Sequence, residues 1–388
     1  MRTRKMIVKS KSLRCFCLKM NPLSNNNNYI HNISVSRLLM RWSSSSGSET
    51  SSKHNDYLED DNINDRHSVR TSISEREVSK FSSMASSWWN PDLNPLISMN
   101  PIRVSYIVDR ILHQQHSIHG NAHAHAHAHV LPLHGLKALD VGCGGGLLST
   151  SLARLGANVT AIDPSMEVAM AARERSKLDR DEKVRNHILY KGGIGVEDLA
   201  AKTKTTETAT ATATATTTET TNKEQDFDLI CILEVIEHAQ DPMELLRSAS
   251  SLLKPPSTPG KNDGGLLFLS TINRTFKSYG MAILGGEYIM RKLPIGTHNW
   301  NNFLSPSEVQ HMMQHISNSN PINPIPNKPH DNDDNTNAST NTNSSTILNL
   351  KQIHLQGMIL QPPFLDMRWK LHDSDTDINW IATYKHDT

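Results

Sequence analysis

With 388 residues, 37% of them hydrophobic, and a formal net charge of +1, the chain has no global signature of a nucleic-acid binder or of a partner for an acidic surface. Mean hydropathy is −0.48 because several polar stretches can join no core, and setting these aside leaves roughly 230–250 residues, enough for one α/β domain. The four cysteines (Cys15, Cys17, Cys143, Cys231) show neither zinc spacing nor a disulfide framework, which fits a reducing compartment.

Residues 1–48 hold nine Lys/Arg and no acid, and Ser43 to Ser46 follow directly on Trp42. Such an Arg-rich, Ser-rich, acid-free segment reads as an organelle transit peptide, mitochondrial first and plastid second. No apolar run reaches 18 residues, so no membrane span is expected. Residues 49–76 are polar and read as a disordered linker, with the folded domain expected over 77–388. From Glu77, Val78, Phe81, Met84 and Ala85 recur at helical spacing. A second helix is expected over Arg103 to Leu112, beginning after Pro101.

Beyond it, short apolar strands alternate with amphipathic helices. Strands are expected at Lys137–Val141, Val159–Ile162, Ile188–Lys191, Phe227–Leu233 and Gly265–Thr271. Helices are expected at Gly146–Leu155, Met166–Leu178 and Pro242–Leu253. This alternation predicts an α/β fold with a mostly parallel, doubly wound, Rossmann-like sheet and helices on both faces. Ile347–Leu355 and Ile378–Tyr384 are candidate antiparallel strands that complete it. Three low-complexity inserts, near 113–134, 202–225 and 317–346, interrupt the pattern and are expected as lengthened surface loops. The first contains His123, His125, His127 and His129 alternating with Ala; it resembles a metal tract but lies between elements, without fixed geometry.

The first strand runs into Asp140-Val141-Gly142-Cys143-Gly144-Gly145-Gly146, which opens a helix. Glycines here let the backbone approach a ligand closely. The order Gly142-x-Gly144-x-Gly146, with Leu at 147, departs from the GxGxxG of dinucleotide sites, and an acid precedes the first glycine. Asp140 would organise the loop or receive an ammonium through water. Asp163, ending the second strand 21 residues after Gly142, can accept both ribose hydroxyls of an adenosyl group. It could also cap the helix that follows Pro164. After the fourth strand comes Leu233-Glu234-Val235-Ile236-Glu237-His238. A helical turn there would bring Glu234, Glu237 and His238 to one face at the carboxyl end of the sheet, a donor set for a hard divalent cation. Lys277–Pro294 is apolar at Met281, Ile283, Leu284, Tyr288, Ile289 and Met290 with Lys277, Arg291 and Lys292 at its ends. It reads equally as an interfacial helix or as a lid over the pocket.

Phe81–Trp89, Asn100-Pro101-Ile102-Arg103, Leu139–Gly146, Leu233–His238, Ser270-Thr271-Ile272-Asn273-Arg274 and Gly296-Thr297-His298 together resemble the ubiquinone-biosynthesis O-methyltransferases, a class I S-adenosylmethionine-dependent family. The resemblance implies S-adenosylmethionine contacts at Arg103, Gly142, Asp163 and Leu233, and Mg²⁺ at Glu234, Glu237 and His238. It implies methylation of a polyprenyl dihydroxybenzoate and of a demethylubiquinol, within a coenzyme Q biosynthetic complex peripheral to the matrix face of the mitochondrial inner membrane. Two departures are the long inserts and Asn299, where the family commonly has Asp after Gly-Thr-His; no base role passes to 299. The competing readings are an N- or C-methyltransferase and a non-catalytic subunit that keeps the fold.

Overall fold

The computed structural model describes residues 71–388 except 120–130, 202–225, 259–260, 290–293, 319–349, 363–366 and 387–388. The basic leader, most of the linker, the His/Ala tract, the Thr/Ala run and nearly all of the Asn-rich stretch lie outside the described residues.

Helix α1 (Glu75–Ser83) and helix α2 (Leu96–His119) precede the sheet. The alternation then follows as β1 (Lys137–Val141), α3 (Leu147–Arg154), β2 (Asn158–Asp163), α4 (Met166–Lys177), α5 (Glu182–Asn186) and β3 (Ile188–Gly192). It continues with β4 (Leu229–Leu233), α6 (Pro242–Ser251), β5 (Leu266–Ile272), α7 (Pro306–Asn318), β6 (Leu350–Gln361), β7 (Arg368–His372) and β8 (Asn379–His386). The strand order is β3-β2-β1-β4-β5-β8-β6-β7. β1 to β5 are parallel, while β8 runs antiparallel to β5 and β6 pairs antiparallel with both β8 and β7.

Burial explains the strand composition. Every residue of β4 (Leu-Ile-Cys-Ile-Leu) and of β5 is buried, as expected where a parallel strand is covered on both faces. One core joins Leu139, Ile162, Ile230 and Leu267 of the sheet to Leu245, Leu246 and Ala249 of α6 and to Val309, Met313 and Ile316 of α7. α2 buries Val104, Ile107, Val108 and Ile111. Its Tyr106 meets Phe268 of β5 edge-on at 6.3 Å, and the Tyr106 hydroxyl bonds to Thr383 of β8. β1 has β2 on one side and β4 on the other, so the connections leave it in opposite directions. The crevice at the carboxyl ends of β1 and β4 is the place where such sheets hold ligands.

The structure corrects two boundaries and adds a strand. α2 starts at Leu96, before Pro101, because Asn94 Oδ1 accepts the Leu96 N–H at 3.0 Å ahead of Pro95, a helix-start pairing. It also runs to His119, through the first seven residues of the expected 113–134 loop. There Gln114 anchors it by donating to the carbonyls of Asn262 (3.0 Å) and Gly264 (2.8 Å). β7 has no counterpart among the sequence expectations; its residues alternate between half-buried and exposed, which gives little apolar signal. Among the described residues, no helix is long and apolar enough to cross a membrane.

Candidate functional site

The glycine loop folds as a close-packed turn. The Gly144 N–H donates to Asp163 Oδ2 at 2.9 Å, tying the end of β2 to the loop after β1. Gly144 has φ +53°, and a Cβ there would lie 2.7 Å from the Trp88 ring, so both its backbone and its surroundings call for glycine. Trp88 lies over Gly144 and Gly145, Trp89 Nε1 donates to the Gly145 carbonyl at 2.8 Å, and the Arg175 guanidinium sits 4.0 Å over the Trp89 ring. The segment carrying these indoles is stitched down on both sides of the crevice. The Ser72 N–H donates to Glu197 (2.7 Å), Lys80 donates to the Thr297 carbonyl (2.9 Å), and the Ser82 and Ser165 hydroxyls bond at 2.7 Å.

Asp163 accepts the Ser165 N–H through its other oxygen, at 2.8 Å, while Ser165 itself caps α4. The capping role thus belongs to Ser165, and Asp163 is left facing the cavity. Burial raises its pKa to about 6 against the two backbone donors that favour its charge. Asp140 accepts the Ser149 hydroxyl from α3, so it organises the loop, and burial raises it to about 6 as well.

Arg103, on α2, is 3% exposed, and its Nε has no hydrogen-bond partner among the described residues. Burial lowers its pKa, while Glu234 and Asp140 oppose that shift. A buried guanidinium with an unused donor suits a carboxylate such as that of a methionyl group. Leu233 ends β4 at 8% exposure. Gly142, Asp163, Glu234, Glu237 and His238 line one cavity, but Arg103 and Leu233 do not reach its lining.

The triplet after β4 is not one helical face. The turn there is a 3₁₀ helix of three residues, Ile236–His238, and Glu234 stands before it at φ +57°, rare for a residue with a Cβ. Glu234 is fixed by Ser270 Oγ (2.7 Å) and Asn379 Nδ2 (3.0 Å), and Glu237 accepts the Thr271 hydroxyl at 2.8 Å. His238 Nδ1 instead pairs with Glu77 of α1 at 2.8 Å. Burial pushes both Glu234 and Glu237 up, and for Glu237 the Glu234 charge adds to it. Two buried carboxylates repelling each other are the chemistry of a hard-cation site. As placed, however, no three His, Cys, Asp or Glu among the described residues form a metal-holding group.

Within Lys277–Pro294, the described residues have an inner and an outer side. After a short turn at Phe276–Ser278, a wide π-type helix spans Tyr279–Ile289. Met281, Ala282 and Gly286 line the cavity, and Ile283 packs with Ile272 and Phe303, as a lid would. Leu284, Tyr288 and Ile289 are exposed, as are Phe276 and Ile295. Lys277 is drawn to Asp375 and Asp377, while Arg291 and Lys292 lie outside the described residues. Sequence reasoning assigned no role to Glu77, Trp88, Asn379 or Glu287. Only Glu287 carries a readable signal, as the one acid in an otherwise apolar stretch from Gly280 to Ile289.

The strand order and the glycine loop tied to an acid at the end of β2 are those of a class I S-adenosylmethionine-dependent methyltransferase. Residues 127–316 match the methyltransferase domain family. Relatives include the ubiquinone biosynthesis O-methyltransferase of Cereibacter sphaeroides, 32% identical over 81% of this chain and 97% of that protein. The mitochondrial ubiquinone biosynthesis O-methyltransferase of Dictyostelium discoideum is 36% identical over 60% of this chain; the match spans 64% of that protein, just under two thirds of its length. The Glaesserella parasuis ubiquinone biosynthesis O-methyltransferase is 37% identical over 61% of this chain and 80% of its own. The chain belongs to the ubiquinone biosynthesis O-methyltransferase family, and it is an S-adenosylmethionine-dependent O-methyltransferase.

Proposed function

We propose that the chain methylates catechol-type hydroxyls of a polyprenyl dihydroxybenzoate and of a demethylubiquinol, with Mg²⁺. The observation that carries this reading is one cavity lined by both polar and apolar side chains. The glycine loop, Asp163 and the paired carboxylates Glu234 and Glu237 line it together with Met84, Leu93, Met99, Met281, Leu360 and Trp369. A polar ring with neighbouring oxygens and a long hydrocarbon tail matches that mixed lining.

In this reading Asp163 receives the ribose hydroxyls, Gly142 and the Leu233 backbone border the adenosyl group, and Arg103 faces the methionyl carboxylate. Glu234, Glu237 and His238 would hold Mg²⁺, with His238 released from Glu77. A bound Mg²⁺ would supply Lewis acidity that lowers the pKa of a ring hydroxyl and orients it. The protein contributes positioning, since Trp88 and the Tyr279–Ile289 helix close the crevice and keep water from the sulfonium.

Methyl transfer to a 3,4-dihydroxy-5-prenylbenzoate, measured with and without Mg²⁺, is the direct test. The Glu234→Ala chain is expected to lose roughly tenfold or more of its metal-dependent turnover while still binding S-adenosylhomocysteine. Full wild-type turnover in EDTA would remove the metal from the proposal, and no turnover on any catechol would remove the substrate class.

The proposal extends to the matrix side of the mitochondrial inner membrane and to peripheral association there with a coenzyme Q biosynthetic complex. Support comes from the acid-free basic leader and from the exposed apolar set Phe276, Leu284, Tyr288, Ile289 and Ile295. Tyr288→Asp with Ile289→Asp is expected to lower flotation with anionic vesicles severalfold and to leave S-adenosylhomocysteine binding intact. Equal flotation of variant and wild type would remove the membrane contact.

A further inference from the structure

Glu287 is a buried acid that the cofactor and metal readings leave unused. It is 1% exposed, inside the apolar Tyr279–Ile289 helix. Among the described residues its oxygens are met only by donors from the Gly296–His298 stretch. Oε2 accepts the Gly296 N–H at 2.7 Å, and Oε1 accepts the His298 N–H at 2.8 Å and lies 3.0 Å from His298 Nδ1. Burial works against its charge, yet the hydrogen bonds from His298 and Gly296 hold its pKa below the usual carboxylate value. An ionised carboxylate is an acceptor only, so Nδ1 carries a proton in this pair, and in the neutral form of the ring the lone pair is the one on Nε2.

That lone pair belongs to a residue lining the same cavity as Gly142, Asp163, Glu234 and Glu237. Among the described residues Nε2 makes no hydrogen bond. The His298 ring is steadied by Phe303 (centroids 5.9 Å apart, 70°) and His238 (6.1 Å, 32°). A carboxylate that fixes the tautomer and orientation of a cavity-facing imidazole is the arrangement that base catalysis uses on unrelated folds.

We infer that His298 is the general base of methyl transfer, taking the ring-hydroxyl proton at Nε2, and that Glu287 is the positioning residue behind it. The inference rests on the proposed O-methylation. The hydroxyl proton passes to Nε2 while the oxygen electron pair forms a bond to the sulfonium methyl carbon. The carbon–sulfur bond breaks with its electrons going to sulfur, which leaves as a neutral thioether. The imidazolium, held against the Glu287 charge, then gives the proton to solvent.

The test compares turnover on the dihydroxybenzoate with turnover on a nitro-substituted catechol, whose hydroxyl ionises without help. His298→Ala is expected to lower kcat on the dihydroxybenzoate about a hundredfold, with S-adenosylhomocysteine binding and acceptor KM within about twofold of wild type. The deficit should shrink at least about tenfold on the nitrocatechol, and added imidazole should restore part of it. Glu287→Gln should lower kcat about tenfold with the same contraction, and Glu287→Asp should recover part of the loss. S-adenosylhomocysteine binding reports that each variant is folded. If the alanine variant fails that check, His298→Asn takes its place with the same expected losses. A kcat near wild type in the histidine variants, a deficit equal on both acceptors, or a deficit erased by excess Mg²⁺ would each overturn the base assignment. If the wild-type chain methylates neither acceptor, the proposed function fails instead, and that result is distinct from the others.

Discussion

Replacing Asp163 with alanine is expected to weaken S-adenosylhomocysteine binding about a thousandfold, as measured by calorimetry. Each ribose hydroxyl donating to a buried carboxylate contributes about 1.5–3 kcal/mol, and two such bonds are lost. The same carboxylate also receives the Gly144 and Ser165 N–H groups, so the loop loses its tie to β2 as well. The pH dependence follows from the raised pKa of about 6. An acid raised on folding contributes stability that is fully present below its unfolded value and is lost as pH rises through the folded one. Ligand binding needs the ionised form and therefore runs the other way, tightening as pH rises through about 6 and levelling off above. Asp140 also sits at about 6, so Asp163→Asn should bind weakly throughout and keep only the part of the step that belongs to Asp140. Tight binding by the alanine variant would show that Asp163 serves the loop and not the ligand.

Arg103→Met is expected to cost about 3–5 kcal/mol of stability, read from the urea midpoint near neutral pH, because it removes the cation from a buried set of charges. Arg103 is fully enclosed, and Glu234, Asp140 and Glu237 all bear on it. Methionine has nearly the length of the arginine stem, so the loss reports charge and hydrogen bonding rather than a cavity. If Arg103 holds the methionyl carboxylate as proposed, S-adenosylhomocysteine binding falls with it. A variant as stable as wild type would mean that the acids around it are already protonated and need no partner.

The parallel half of the sheet was legible in the sequence for a physical reason. β4 and β5 are buried along their whole length, so β4 reads as an unbroken apolar run and β5 opens on four apolar residues, while β1 keeps buried Ala138, Leu139 and Val141 around Asp140. The glycine loop and Asp163 were legible because a positive φ and a strand-ending acid restrict the residue type. The start of α2 was not, since Pro101 outweighed the quieter Asn94-Pro95 signal. β7, partly exposed along its length, lacked the contrast that marks a strand. The turn after β4 had the right residues with the wrong geometry assumed. The side chains Ser270 and Asn379, 36 and 145 positions from Glu234, hold it in a left-handed conformation that no local pattern announces. Pairings such as Glu77 with His238, or Glu287 with His298, depend on the tertiary fold in the same way.

Trp88 and its neighbours have a bearing on what counts as the smallest working unit. The methyltransferase domain match begins at residue 127 and ends at 316. The indole that roofs the glycine loop lies upstream of it, as does Arg103, while Asn379, which clamps Glu234, lies downstream. A fragment trimmed to that segment would keep the general methyltransferase match and lose the roof, the buried cation and one clamp of the acid pair. The similarity to the ubiquinone biosynthesis enzymes runs over 320 residues, and a minimal enzyme must be cut to that longer stretch.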